Sequence, residues 1–149
     1  MPVTTEYKNI LVATDLHDKG GLPAPNTAVA IAKKYGAKLT VISVAPKIPT
    51  YIGPGLQSMV SLKNRMMQET QAKIDYVKSQ LNFPADYLTS YGIAAQEIVK
   101  AAKKINADLI VIGSHGHQGV RKILGSTASM VLNDAPCNVM VVRIAKKGK

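Results

Sequence analysis

The chain has no tryptophan and a single cysteine, Cys137. One thiol excludes an intramolecular disulfide and a cysteine-based metal cluster. No apolar run approaches the roughly 18 residues that a membrane span needs, so no membrane role is expected. Residues 1–6 have neither the basic start nor the apolar core of a secretory leader, which makes the cytoplasm the expected compartment. Acidic residues are scarce, 9 against 19 Lys and Arg, and leave a formal net charge of +10. Such a surplus can mark a nucleic-acid or acidic-membrane partner. Here the lysines are spread along the predicted helices, and only residues 145–149 form a cluster. Aromatic residues make up 5% of the chain and offer few stacking platforms, so nucleic acid is not the expected partner. Catalytic signatures are missing too. There is no GxxxxGK(S/T), no HExxH and no credible Ser-His-Asp set.

What is present fits one globular domain over residues 1–149, with 46% hydrophobic and 19% charged residues. Short apolar runs at 8–15, 39–44, 84–91, 108–112 and 138–144 read as buried strands. Helical spacing is expected over 27–34, ending at a cap signal at Gly36, and over 56–81, 94–105 and 126–133. The proline- and glycine-bearing stretches 16–26 and 45–55 read as loops. Strands alternating with helices predict an α/β fold with a parallel sheet covered on both faces.

The most informative segment is Gly113-Ser114-His115-Gly116, directly behind the strand 108–112, followed after a spacer by Gly125-Ser126-Thr127. Two glycines three apart let an anion approach the main chain closely. The second cluster opens a helix, whose first N–H groups and positive dipole end suit the same anion. In open parallel sheets ligands bind beyond the carboxyl ends of the strands, where strand order reverses. With a 3-2-1-4-5 order, Asp15 and the glycine loop would share that crevice, Asp15 accepting from a ribose or base. The alternative for Asp15 is a helix or turn cap. His115 and His117 could meet a phosphate as imidazolium or be polar loop residues. Their HxH spacing lacks a third metal ligand. Arg121 and Lys122 could attract a polyphosphate or form a solvated face.

These blocks resemble the universal stress proteins of the UspA family. The matching residues are the strand Ile10-Leu11-Val12-Ala13-Thr14-Asp15, the segment from Ala107 to Gly116, Gly125-Ser126, and the ending from Ala135-Pro136-Cys137 to Arg143. The resemblance implies a five-stranded parallel sheet between helices, Rossmann-like and of the adenine-nucleotide α-hydrolase type, usually as a homodimer. It implies a stress-response regulatory or protective module that binds ATP, AMP or ADP, with or without Mg2+, and hydrolyses ATP weakly at most. The alternative is a dimer that acts through protein partners without a nucleotide. Carried over, Ala13, where the family often has proline, Thr14 and Asp15 line the adenosine floor, and Val44 offers its main chain to adenine. Ile112, Gly113, Ser114, His115 and Gly116 wrap ribose and phosphates. Gly125, Ser126 and Thr127 take the outer phosphates. ATP-binding members are similar in having nine residues between the second and third glycines; this chain has eight, His117 to Leu124. The resemblance also implies antiparallel pairing of the last strand, 138–144, across a two-fold axis, capping an edge that would otherwise invite aggregation.

Overall fold

The computed structural model describes residues 6–14, 22–47, 55–114 and 124–143. Five strands, β1 (Asn9–Ala13), β2 (Lys38–Pro46), β3 (Asp86–Gly92), β4 (Leu109–Gly113) and β5 (Asn138–Val142), form one sheet in the order β3-β2-β1-β4-β5. Every ladder is parallel. The α/β, Rossmann-like expectation and its strand order are therefore met. Helices α1 (Pro23–Tyr35), α2 (Leu56–Leu81), α3 (Ala94–Ile105) and α4 (Ser126–Asp134) supply the crossovers.

Successive strand residues face opposite sides of a sheet, so each strand feeds two cores. Val12, Val41 and Val111 pack under α1 and α2 with Ile74 and Val77. Leu11, Ile42 and Ile110 pack under α3 and α4 with Ile98 and Val131. Each such aliphatic side chain contributes about 1.5–3 kcal/mol when fully buried. This two-sided burial is why the central strands read as unbroken apolar runs rather than alternating ones. Asp108 fixes the register of β1 at its start. Its carboxylate accepts from the main-chain N–H of Lys8 (2.9 Å) and of Asn9 (3.2 Å). The chain ends of α1, α2 and α3 turn at Gly36, Asn82 and Asn106, all in the left-handed conformation.

The structure shifts several boundaries. Helix α1 begins at Pro23, four residues before the predicted start, so part of the predicted loop is helix. Pro23 and Pro25 fall in the first turn, where a missing N–H breaks no intrahelical bond. Strand β2 runs two residues further than predicted, through Ala45 and Pro46, which pair with Tyr91 and Gly92. Pro46 is tolerated because of parity. The carbonyl of Ile42 accepts from Thr14 N–H, so Ile42, Val44 and Pro46 turn their main-chain groups toward the flank where β1 has already stopped. Strand β1 is shorter than predicted at both ends, and β5 ends at Val142; Asp15 and Ile144 lie outside the described residues. Strand β3 starts at Asp86, past Pro84, which has no ladder N–H to give.

Candidate functional site

Strand order reverses between β1 and β4, which lie side by side with Val12 opposite Val111. Their carboxyl ends open the crevice that such a sheet offers to ligands. Three main-chain hydrogen bonds shape its rim. Thr14 N–H donates to Ile42 O at 2.9 Å, tying the end of β1 to β2. Ser114 N–H donates to Val142 O at 2.8 Å, and Gly125 N–H donates to Ser114 O at 2.8 Å. Ser114 thus links the end of β5 to the start of α4 and holds that helix N-terminus at the carboxyl end of β4.

The first α-type bond at that end of α4 is Ser129 N–H to Gly125 O, 3.0 Å. The N–H groups of Ser126, Thr127 and Ala128 precede it and have no intrahelical acceptor. Among the described residues no side chain caps the helix, and its first turn carries no acidic residue that would compete with a bound anion. The N-cap Gly125 (φ −64°, ψ 161°) leaves space rather than providing unusual backbone geometry. Of the residues expected here, Gly113, Ser114, Gly125, Ser126 and Thr127 are brought together on this rim.

Two buried side-chain polar atoms lack a hydrogen-bond partner among the described residues, Asn9 Oδ1 and Thr14 Oγ1. Asn9 lies at the amino end of β1, far from the crevice. Thr14 is 6% exposed and stands one residue past the end of β1, at the switch point. A buried hydroxyl without a partner costs about 1–3 kcal/mol, so one persisting here fits a place where a polar ligand supplies the missing bond. Ala13 lies beside it. Val44 directs its main-chain N–H and C=O into the same flank, a donor–acceptor pair suited to the edge of a purine. Ile112, by contrast, is a core residue packed among Ile110, Ala128 and Val131, and its main chain faces β5 in the β4–β5 ladder, so it is not offered to a ligand. Asp15, His115 and Gly116 lie outside the described residues, as do His117, Arg121 and Lys122.

The structure adds a polar pair that the sequence reading missed. Ser90, opposite Val44 in the β2–β3 register, donates its hydroxyl proton to the Glu97 carboxylate in the first turn of α3. Gly92 (φ 149°) makes room for it: a Cβ there would sit 3.1 Å from the Glu97 side chain. The one legible signal was an acidic residue early in a predicted helix. At the next residue of β3, on the opposite face of the sheet, the Lys63 ammonium lies 4.4 Å from the centre of the Tyr91 ring. Cys137, just before β5, takes no part. Burial, and then the nearby Asp108 carboxylate, push its thiol up to about 11, which keeps it protonated and unreactive at neutral pH.

Residues 6–143 match the model of the universal stress protein family. Universal stress protein A homolog 2 of Coxiella burnetii is 33% identical over 140 residues, 93% of this chain and 96% of that protein. The structure of the universal stress protein UspA from Lactobacillus plantarum superposes with a TM-score of 0.74 at 31% identity, covering 94% of this chain and all of that one. Two more distant structures share the fold. One is a universal stress protein in complex with cAMP (22% identity, TM-score 0.61), covering 95% of this chain and all of that one. The other is the universal stress protein from Archaeoglobus fulgidus in complex with dAMP (19% identity, TM-score 0.56), covering 91% of this chain and 98% of that one.

Proposed function

Because the chain belongs to the universal stress protein family, we infer that it binds an adenine nucleotide and serves a stress response as a regulatory or protective module, not as an efficient enzyme. The observation that carries this reading is the start of α4, held at the carboxyl end of β4 next to the strand that ends in the unpartnered Thr14 hydroxyl. The cAMP and dAMP complexes of the two distant relatives support the same ligand class.

In this reading Ser126 and Thr127 N–H groups receive the outer phosphates of ATP, which their dipole end favours. Gly113 and Ser114 line the inner phosphates, Thr14 and Ala13 the ribose side, and Val44 the purine edge. Asp15, His115 and Gly116 complete the cradle from their positions in the chain. Bound Mg2+ would neutralise phosphate charge. The spacer, one residue shorter than in the ATP-binding pattern, changes the path between the two phosphate-holding ends without removing either. Ligand occupancy in turn alters a surface that partners read.

The protein is further read as a cytoplasmic homodimer joined through β5. That strand is one of the two edges of the sheet, and Met140 on it is 37% exposed. Since Val142 O turns toward β4, Val139 and Val141 turn their main-chain groups outward, available to a second copy.

Thermal unfolding with Mg-ATP tests the nucleotide reading. At a concentration a hundredfold above Kd, binding adds about 2.7 kcal/mol, or roughly 5–10 °C in Tm for a chain of this size. Gly125→Val places an isopropyl group at the helix entrance without backbone strain and should abolish the shift. No shift at millimolar nucleotide would leave only the nucleotide-independent dimer.

A further inference from the structure

Helices of this sheet run antiparallel to its strands, so the last turns of α1 and α2 meet at the amino ends of the strands, opposite the nucleotide crevice. This gathers lysines that look dispersed in the sequence. Lys33 and Lys34 end α1, Lys78 ends α2, Lys8 precedes β1 and Lys38 opens β2, and all five are exposed. Lys103 and Lys104 end α3 on the other face of the sheet, where α4 ends at Asp134. The acidic groups on the α1–α2 rim are Glu6, Asp86 and Asp108. Asp86 lies 3.9 Å from Lys38, and Asp108 is engaged by the main chain of β1. The rim is net positive.

Four of the seven aromatic residues, Tyr7, Tyr35, Phe83 and Tyr87, stand on the same rim. Tyr7 and Tyr35 meet edge to face with centroids 5.6 Å apart, and Asn138 of β5 donates to the Tyr7 hydroxyl at 3.1 Å. The Lys34 ammonium stands 5.7 Å from the Tyr35 ring, and the Lys78 ammonium 5.7 Å from the Tyr87 ring. Between them an open groove of about 470 Å³ is lined by Ala37, Lys38 and Leu39 at the start of β2 and by Phe83 to Asp86 leading into β3. Rings and ammonium groups therefore lie together along a band over the starts of β3, β2 and β1, roughly 10 Å at the spacing of a sheet, with the Tyr7 hydroxyl reaching Asn138 of β5.

We propose that this amino-end rim binds single-stranded nucleic acid. Planar bases stack on the half-exposed tyrosines and enter the Phe83 groove, while successive phosphates meet the ammonium groups between them. An acidic peptide would satisfy the lysines but leave the rings without a planar partner. A duplex would keep its bases stacked on each other and out of reach. Recognition is sequence-tolerant, because every base has a π face. The strand β1, five residues long, separates this rim from the crevice by about 16 Å, so bound ATP does not compete.

Fluorescence anisotropy with a labelled 15-nucleotide oligouridine tests the assignment on the full chain. Binding at 50 mM salt should weaken steeply as salt rises, and saturating Mg-ATP should leave it unchanged. Replacing Lys34 and Lys38 together by Gln should reduce the slope of log K against log salt by about 1.4. Tyr35→Leu should weaken binding roughly tenfold with the slope unchanged, and Tyr35→Phe, which keeps the ring, should restore it. Lys100→Gln, exposed in the middle of α3, should change nothing. Equal losses from Lys100→Gln and the rim lysines would overturn the proposal in favour of unspecific net charge. So would polyglutamate competing as well as oligouridine, or no binding at 50 mM salt.

Discussion

Replacing Thr14 by Val separates the cost of the candidate site from its use. The hydroxyl of Thr14 is buried and has no partner among the described residues, whereas valine keeps the β-branched shape and removes the polar atom. An unpartnered buried hydroxyl costs about 1–3 kcal/mol, of which the substitution should recover about 1 kcal/mol in the ligand-free protein. For a chain of this length that raises Tm by about 2–4 °C. The same change removes a hydrogen bond from the nucleotide complex, worth about 0.5–1.5 kcal/mol and hence up to roughly tenfold in Kd. Differential scanning calorimetry with and without Mg-ATP reads both effects. The apo Tm should rise while the ligand-induced shift shrinks. A fall in apo Tm would mean that the hydroxyl is already satisfied in the ligand-free protein. An unchanged shift would mean that the ligand never meets it. Either result refutes the reasoning.

Other consequences can be checked independently. If the proposed β5 pairing holds, Val141→Pro should give a monomer in light scattering where the unchanged chain gives a dimer, without unfolding it, since the N–H it removes faces away from β4. Gly92→Ala places a methyl group against Glu97 in a backbone conformation that favours glycine, and urea unfolding should show a loss of about 1–3 kcal/mol. Native alkylation of Cys137 by iodoacetamide should stay slow at pH 8, with its rate titrating near pH 11 instead of the ordinary 9. Because that pKa is raised on folding, its stabilising effect is complete below pH 9 and is lost as pH climbs through 11.

The buried strands were legible because two-sided burial writes an unbroken apolar run into the chain, as in Ile10 to Ala13 and Leu109 to Ile112. Helix α2 was legible at both bounds, since Gly55 and Asn82 flank an apolar stripe of helical period. Prolines misled where their meaning depends on geometry. Pro23 and Pro25 look like breakers but sit in a first turn, and Pro46 looks like a stop but faces a flank that needs no donor. At the site, glycine spacing pointed to the rim of Gly113, Ser114, Gly125 and Ser126, because close approach to main chain demands small residues. The Ser90–Glu97 pair was not legible. It joins a strand to a helix across a turn, and its one signal, an acidic residue early in a predicted helix, names no partner. The amino-end rim was hidden for the same reason, since only the antiparallel course of α1 and α2 brings their last turns together.

Isothermal titration of the freshly purified protein with Mg-ATP tests the central claim most directly. A saturable isotherm with one nucleotide per chain, lost in Gly125→Val, is the predicted result. A flat titration up to millimolar ATP, with no adenine compound released when the same sample is denatured, would contradict it.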